Sequence, residues 1–298
     1  MCVECGCGQP GPTRIDGKPA HEVSSPLAED PHHDHPHDHH HGHSHDHDHG
    51  HSHDHSHDHG HGHVHPHGEA DGQSHGPREI AVHQSIFAAN DRMAERNRGF
   101  FRALGLLVLN VVSSPGSGKT LLLQKTIERL SGVARVGVVV GDLETDNDAK
   151  RLRTTGAPVV QVSTGTLCHL DAEMVGRAIG ALDVRALDIL IIENVGNLVC
   201  PAEFDLGEDV RVALLSVTEG EDKPLKYPPM FRNAHMIVLT KTDLVPHLDF
   251  DRAAAIRNIR QVNPRAPIFE VSSRTGDGLQ PWCDALLEWQ GRNAGSGR

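Results

Sequence analysis

Ser113-Ser114-Pro115-Gly116-Ser117-Gly118-Lys119-Thr120 is the stretch best equipped for chemistry. An apolar run from Leu106 to Val112 precedes it and a helical pattern follows. Strand, glycine-rich turn and helix in that order make a phosphate-binding loop. Backbone N–H groups of Gly116, Ser117 and Gly118 would face the phosphates, together with the helix N-terminus. Lys119 would reach the β and γ oxygens, and Thr120 would offer its hydroxyl to Mg²⁺. Ser113 stands where such loops usually carry their first glycine.

Other residues sit where they could complete that site. The apolar runs Val136–Val140 and Leu187–Ile192 end in Gly141-Asp142 and in Glu193-Asn194-Val195-Gly196. In α/β sheets the ligand crevice opens just past such strand ends. Asp142 is the candidate switch carboxylate on the metal side. Glu193 would hold Mg²⁺ directly or through water, and Gly196 would present an N–H to a γ-phosphate. Lys119, Thr120, Asp142 and Glu193 form the candidate catalytic set, and no residue presents itself as a general base. Asp146 and Asp148 read instead as N-caps of a helix over 147–154. Thr240-Lys241-Thr242-Asp243 follows a further apolar run and resembles the guanine-reading Asn-Lys-x-Asp of GTPases. A carboxylate at Asp243 can accept from the guanine N1–H and N2–H₂ together, with Lys241 along the base. Ser272-Ser273 closes the last strand and resembles the loop whose backbone N–H meets guanine O6. Lys226, in the polar loop 218–228, reads as a phosphate or partner contact or as a solvated side chain.

A second set of residues suits metal rather than phosphate. Cys2, Cys5 and Cys7 can converge on one soft or borderline ion: Ni(II), Zn(II) or Cu(I). With the terminal amine they would suit square-planar Ni(II); the alternative is a redox-active thiol cluster. His32 to His67 then holds 20 of the 26 histidines. His39, His41, His43, His45, His47, His49, His51, His53, His55, His57 and His59 alternate there with Asp, Ser and Gly. That is a labile multi-ion store, or else a solvated spacer. Cys168-His169 and Cys200 each follow a strand end, so they fall on the sheet edge that carries the nucleotide and could share an ion.

The elements that position these residues follow from composition. The histidine tract cannot bury an apolar core, so Gly8 to about Pro77 is expected to be disordered. The remainder is enough for one α/β domain. The expected architecture is a three-layer P-loop NTPase with a mostly parallel sheet over 78–298, preceded by a metal-binding arm over 1–77. Helices are expected over 78–105, 119–130, 171–182, 252–262 and 279–290. A net charge of −12 with no basic stripe argues against nucleic acid. No apolar run approaches the ~20 residues that span a bilayer. With no signal-peptide pattern at the N-terminus, a cytoplasmic location is expected, with the six cysteines as thiols or ligands.

In combination these motifs resemble the hydrogenase nickel-incorporation GTPases of the HypB family. The motifs that carry the resemblance are Cys-x-x-Cys-Gly-Cys, the His-rich tract, Ser-Ser-Pro-Gly-Ser-Gly-Lys-Thr and Gly-Asp-Leu-Glu-Thr-Asp-Asn-Asp-Ala. Cys-His-Leu-Asp-Ala, Glu-Asn-Val-Gly-Asn-Leu-Val-Cys-Pro and Thr-Lys-Thr-Asp complete them. The resemblance implies a SIMIBI-class GTPase that dimerises on GTP or metal binding. It implies delivery of nickel to the precursor of a nickel–iron hydrogenase large subunit, alongside a HypA-type nickel chaperone. It further implies a high-affinity nickel site at Cys2, Cys5 and Cys7, a nickel or zinc site at Cys168, His169 and Cys200, and Mg²⁺ at Thr120, Asp142 and Glu193. The competing functions are nickel storage or detoxification, and the related urease accessory GTPase.

Overall fold

The computed structural model describes residues 12–27 and 77–296. At its centre is β3 (Leu107–Val112), the strand feeding the glycine-rich loop, with all six residues buried. β6 (Ile189–Glu193) lies on one side of β3 and β7 (Val210–Ser216) on the other, both parallel to it. Outward come β4 (Val136–Asp142) and β5 (Val159–Ser163) beyond β6, and β8 (Met236–Thr240) and β9 (Ile268–Val271) beyond β7. These strands are continuous apolar runs because helices cover both faces, as βαβ crossovers require. On one face pack α2 (Lys119–Leu130), α3 (Asn147–Arg153) and α9 (Leu279–Ser296), burying Leu122, Leu123, Leu130, Trp282 and Leu286. The other face holds α1 (Pro77–Ala103) and α4 (Ala172–Ala178), with Phe101 and Val175 inside. Beyond them are α5 (Cys200–Glu203), α6 (Lys223–Lys226), α7 (Pro228–Arg232) and α8 (Arg252–Val262). Parallel strands point their C-terminal ends the same way. The loops after β3, β4, β5, β6 and β8 therefore gather along one edge, where the candidate residues sit.

Three expectations need correction. Helix 171–182 is α-helical only to Ala178 and then tightens into a single 3₁₀ turn, Ile179–Ala181. The polar loop 218–228 contains the short helices α6 and the start of α7. The expectation of disorder from Gly8 onward fails for residues 12–27. Strand β1 (Arg14–Ile15) pairs antiparallel with β5, turns through Asp16-Gly17, and returns as β2 (Lys18–Pro19). Asp16 and Gly17 both have positive φ, 46° and 80°, as a two-residue hairpin turn demands. Ile15, 1% exposed, plugs into the core beside Val162. Asp16 accepts from the Gln161 N–H and pairs with Arg153, while the Ser25 hydroxyl donates to the Gly176 carbonyl. These residues form a strap that covers the sheet edge at β5. Cys2, Cys5, Cys7 and the tract containing His39 to His59 lie outside the described residues. No helix among the described residues is long and apolar enough to cross a membrane.

Candidate functional site

The glycine-rich loop takes the shape its sequence dictates. Gly116 and Gly118 sit at φ 72° and 96°, where a Cβ would be strained, and α2 begins at Lys119. The Lys119 Nζ donates to the Ser113 hydroxyl at 2.8 Å. Burial lowers the Lys119 pKa, and the carboxylates facing it, Glu193 first, oppose that shift. The Thr120 hydroxyl donates to Glu193 Oε1 at 2.8 Å. Glu193 is 2% exposed, and burial pushes its carboxyl up to about 7 against the pull of Lys119 and Thr120. Its second oxygen, Oε2, is buried with no hydrogen-bond partner. An orphaned carboxylate oxygen beside a threonine hydroxyl fits a hard cation. Asp142 opens onto the same cleft of about 430 Å³, where its carboxylate accepts from the Thr145 hydroxyl. Gly196 presses against the loop: a Cβ there would lie 2.9 Å from Pro115 Cα.

The candidate base-reading segment, Thr240 to Asp243, meets the phosphate loop from the other side. The Thr240 hydroxyl donates to the Ser117 carbonyl at 2.7 Å, and Lys241 Nζ to the Gly116 carbonyl at 2.7 Å. Lys241 holds φ 59°, unusual for a residue with a side chain. Asp243 accepts from the buried Ser272 hydroxyl at 2.6 Å, and Ser273 follows, half-buried. Thr240, Lys241, Asp243 and Ser272 thus form one rim with the phosphate loop.

Cys168, His169 and Cys200 come together although a whole strand and helix separate them in sequence. Their ligand atoms all lie within 4.8 Å of one another. The Cys168 and Cys200 sulfurs are 3.0 Å apart, and Cys168 Sγ lies 4.0 Å from His169 Nδ1. The His169 ring stacks on Phe204, centroids 4.0 Å apart. Burial lowers its pKa to about 4, so the imidazole is neutral, the form that binds metal. Thiolate and imidazole donors suit nickel and zinc alike. Helix α1 braces both halves of this site. Asn90 accepts from the Ala172 N–H and donates to the Asp205 carbonyl; Asn97 donates to the carbonyls of Ala172 and Leu206. Arg98 clasps both oxygens of Asp205.

Residues 107–270 match the CobW/HypB/UreG nucleotide-binding domain. The hydrogenase maturation factor HypB of Azotobacter chroococcum is 56% identical over 219 residues, 74% of this chain and 70% of that protein. The chain belongs to the HypB family of P-loop GTPases. The HypB of Escherichia coli strain K12 is 52% identical over 209 residues, 70% of this chain and 72% of that one. The crystal structure of HypB from Helicobacter pylori in complex with nickel aligns with a TM-score of 0.66 at 40% identity. That alignment covers 69% of this chain and 97% of that one. HypB from Archaeoglobus fulgidus aligns with a TM-score of 0.65 at 41% identity, covering 68% and 99%.

In this HypB-family chain several residues escaped the sequence reading. Asp148, expected to be an N-cap, instead lines the nucleotide cleft with Arg151 and is one of the charges facing Lys119 and Glu193. Asp146 occupies the cap position without a side-chain cap bond and pairs with Lys150. Glu219, past the end of β7, accepts from the Ser114 hydroxyl and the Ser216 N–H; its place at a strand end was the available signal. Lys226 does not line the cleft and pairs with Asp222 on the surface.

Proposed function

We propose that the chain is a GTP-hydrolysing nickel metallochaperone of nickel–iron hydrogenase maturation, with nickel as its cargo. The observation that carries this reading is the convergence of Cys168, His169 and Cys200, with a neutral imidazole, on the sheet edge that holds the nucleotide cleft. The A. chroococcum and E. coli relatives are named hydrogenase maturation factors, and the H. pylori structure is a nickel complex.

In this reading Gly116, Ser117, Gly118 and Lys119 cradle the phosphates, Asp243 selects guanine, and Lys241 and Ser272-Ser273 complete the base pocket. Thr120, Glu193 and Asp142 would hold Mg²⁺, which when bound neutralises charge building on the phosphates. Lys119 adds its own charge there and Gly196 offers its N–H. Hydrolysis rests on positioning, so turnover is slow. Cys2, Cys5 and Cys7 form a second nickel site and the tract His39–His59 stores nickel, both in the arm 1–77. Zinc competes for the Cys168–His169–Cys200 donors. The partners are a HypA-type nickel chaperone, the hydrogenase large-subunit precursor and a second copy of this chain, in the cytoplasm. A urease role is the second reading, favoured by one relative: the HypB of Helicobacter pylori, 40% identical over 220 residues, is named a hydrogenase/urease maturation factor.

The strap dictates how to test this. Deleting residues 1–77 would remove β1 and Ile15 with the arm. The test protein should instead carry serine at Cys2, Cys5 and Cys7 and lack only 32–67. Nickel titration into this protein should show one thiolate-bound ion that Cys200→Ser removes, and GTP should alter its transfer to a chelator relative to GDP. Binding undiminished by Cys200→Ser, or transfer indifferent to nucleotide, would defeat the proposal.

A further inference from the structure

Two strands carry polar residues where an apolar core would be expected. Asn110 interrupts Leu-Val-Leu-Asn-Val-Val in the central strand β3, and Arg211 is the second residue of β7. Both are buried, Asn110 at 0% and Arg211 at 7% exposed. Apolar residues of similar volume would serve the sheet as well or better, since buried polar groups return their desolvation cost only when fully partnered. Each side-chain nitrogen and oxygen of the two has a partner, and the partners lead somewhere.

The chain of bonds begins at Asn194, next to Glu193 and 1% exposed. Its Oδ1 accepts two backbone N–H groups, from Val195 at 2.9 Å and from Leu170 at 3.1 Å. Val195 precedes Gly196, the residue pressed against the phosphate loop. Leu170 follows His169. One side-chain oxygen therefore joins the loop at the nucleotide to the loop carrying two metal ligands. Two N–H donors on one atom also fix the amide orientation, so Nδ2 is the group that donates to Asn110 Oδ1 at 3.2 Å. Asn110 Nδ2 donates to Glu208 Oε1 at 3.2 Å, and Arg211 Nε donates to that same oxygen at 2.8 Å. Glu208 Oε2 accepts from the Leu206 N–H. Arg211 then donates to the Ala202 and Phe204 carbonyls, both at 2.8 Å. Ala202 lies in the helix that starts at Cys200, and Phe204 supports the His169 ring.

We propose that this buried bracket, Asn194–Asn110–Glu208–Arg211, ties the spacing of Cys168 and His169 from Cys200 to the position of the Glu193–Gly196 loop. The inference deepens the metallochaperone reading and rests on it. Asn194 and Asn110 are positioning residues: their side chains bond to backbone N–H groups, to each other and to Glu208. When Val195 and Gly196 shift with the nucleotide, the shared acceptor on Asn194 must shift with them or release one donor. Carried along, the Leu170 N–H moves with the nucleotide loop; released, it loses its acceptor. The far end, at Ala202 and Phe204, is held by Arg211. The nucleotide then acts on the distance between two fixed halves of a metal site, and by reciprocity the metal acts on nucleotide affinity.

The test uses the full chain. Affinity for a fluorescent non-hydrolysable GTP analogue is measured with and without Ni(II), and again in Cys200→Ser to subtract nickel held by the arm. The ratio of affinities is the coupling factor, expected within the ordinary range of about 5–150. Asn110→Val, which suits a strand, should bring that factor to about 1 while nucleotide affinity without metal stays within about twofold. A wild type without coupling overturns both the bracket and the metallochaperone reading. Coupling that survives in folded Asn110→Val overturns the bracket alone. If Asn110→Val fails to fold, hydrogen exchange of the Leu170 amide in the wild type decides. Its protection should differ between GDP and the GTP analogue, and identical protection overturns the proposal.

Discussion

Glu193 makes a prediction about the nucleotide-free protein. Its carboxyl is raised from an ordinary 4.5 to about 7, chiefly by burial. A raised carboxyl means that the folded state binds the proton more tightly than the unfolded state does. The stability this confers is fully present below the unfolded pKa of about 4.5 and is lost as pH rises through 7. At 1.36 kcal/mol per unit, a shift of that size corresponds to about 3 kcal/mol. Glu193→Gln keeps the shape and the Thr120 contact but cannot ionise. Without nucleotide or metal, the glutamine variant should match the wild type at about pH 4 and be more stable at pH 8 by up to about 3 kcal/mol. For a domain of this size that is a gap of about 6–12 °C in Tm. Thermal melts at about pH 4, 6, 7 and 8 measure it, and subtracting the two proteins cancels the titrating groups that do not face Glu193. Adding Mg²⁺ and GTP should reverse the order at pH 8, because the anion the fold resists is the one a cation recruits. Melting curves that stay parallel across the pH range would refute the assignment of the shift to Glu193.

Asp243→Asn should move nucleotide preference from GTP toward xanthosine triphosphate, read by competition binding; unchanged GTP preference would remove Asp243 from the base pocket. Gly196→Ala must displace Pro115, whose Cα would lie 2.9 Å from the new Cβ; triphosphate affinity should fall by about tenfold, a cost near 1.4 kcal/mol. Ile15→Asp places a charge where a side chain is 1% exposed; it should cost about 2–3 kcal/mol, release the strap to protease, and leave GTP binding intact.

Legibility in the sequence depended on how local each cause was. Helix α2 begins at Lys119 as expected because the glycine-rich loop defines its own N-terminus. Strands β3 and β6 read clearly as buried apolar runs, and Glu193 stood out as a candidate by closing one of them. The strap was lost because Arg14-Ile15-Asp16-Gly17 is a short hairpin signal next to a long biased tract, and composition averages over it. Asp148 was misplaced because the same position serves equally as a helix cap and as a cleft wall; only the turn of the backbone after Asp142 decides. Cys168, His169 and Cys200 could be assigned to one sheet edge by topology, but their approach within a few ångströms depends on Asn90, Asn97 and Arg211. Single polar residues such as Asn110 have no periodicity and announce nothing until their partners are seen.

Among the described residues, Cys168, His169 and Cys200 offer three donors, one fewer than a tetrahedral or square-planar ion takes. An ion held that way can be attacked by an incoming thiolate or imidazole before any bond to this chain breaks. Under the proposed function, exchange would then be associative, its rate set by the attacker's access rather than by the strength of the site. Tight holding and fast surrender would be compatible, with a receiving protein governing the rate of transfer by inserting a single ligand.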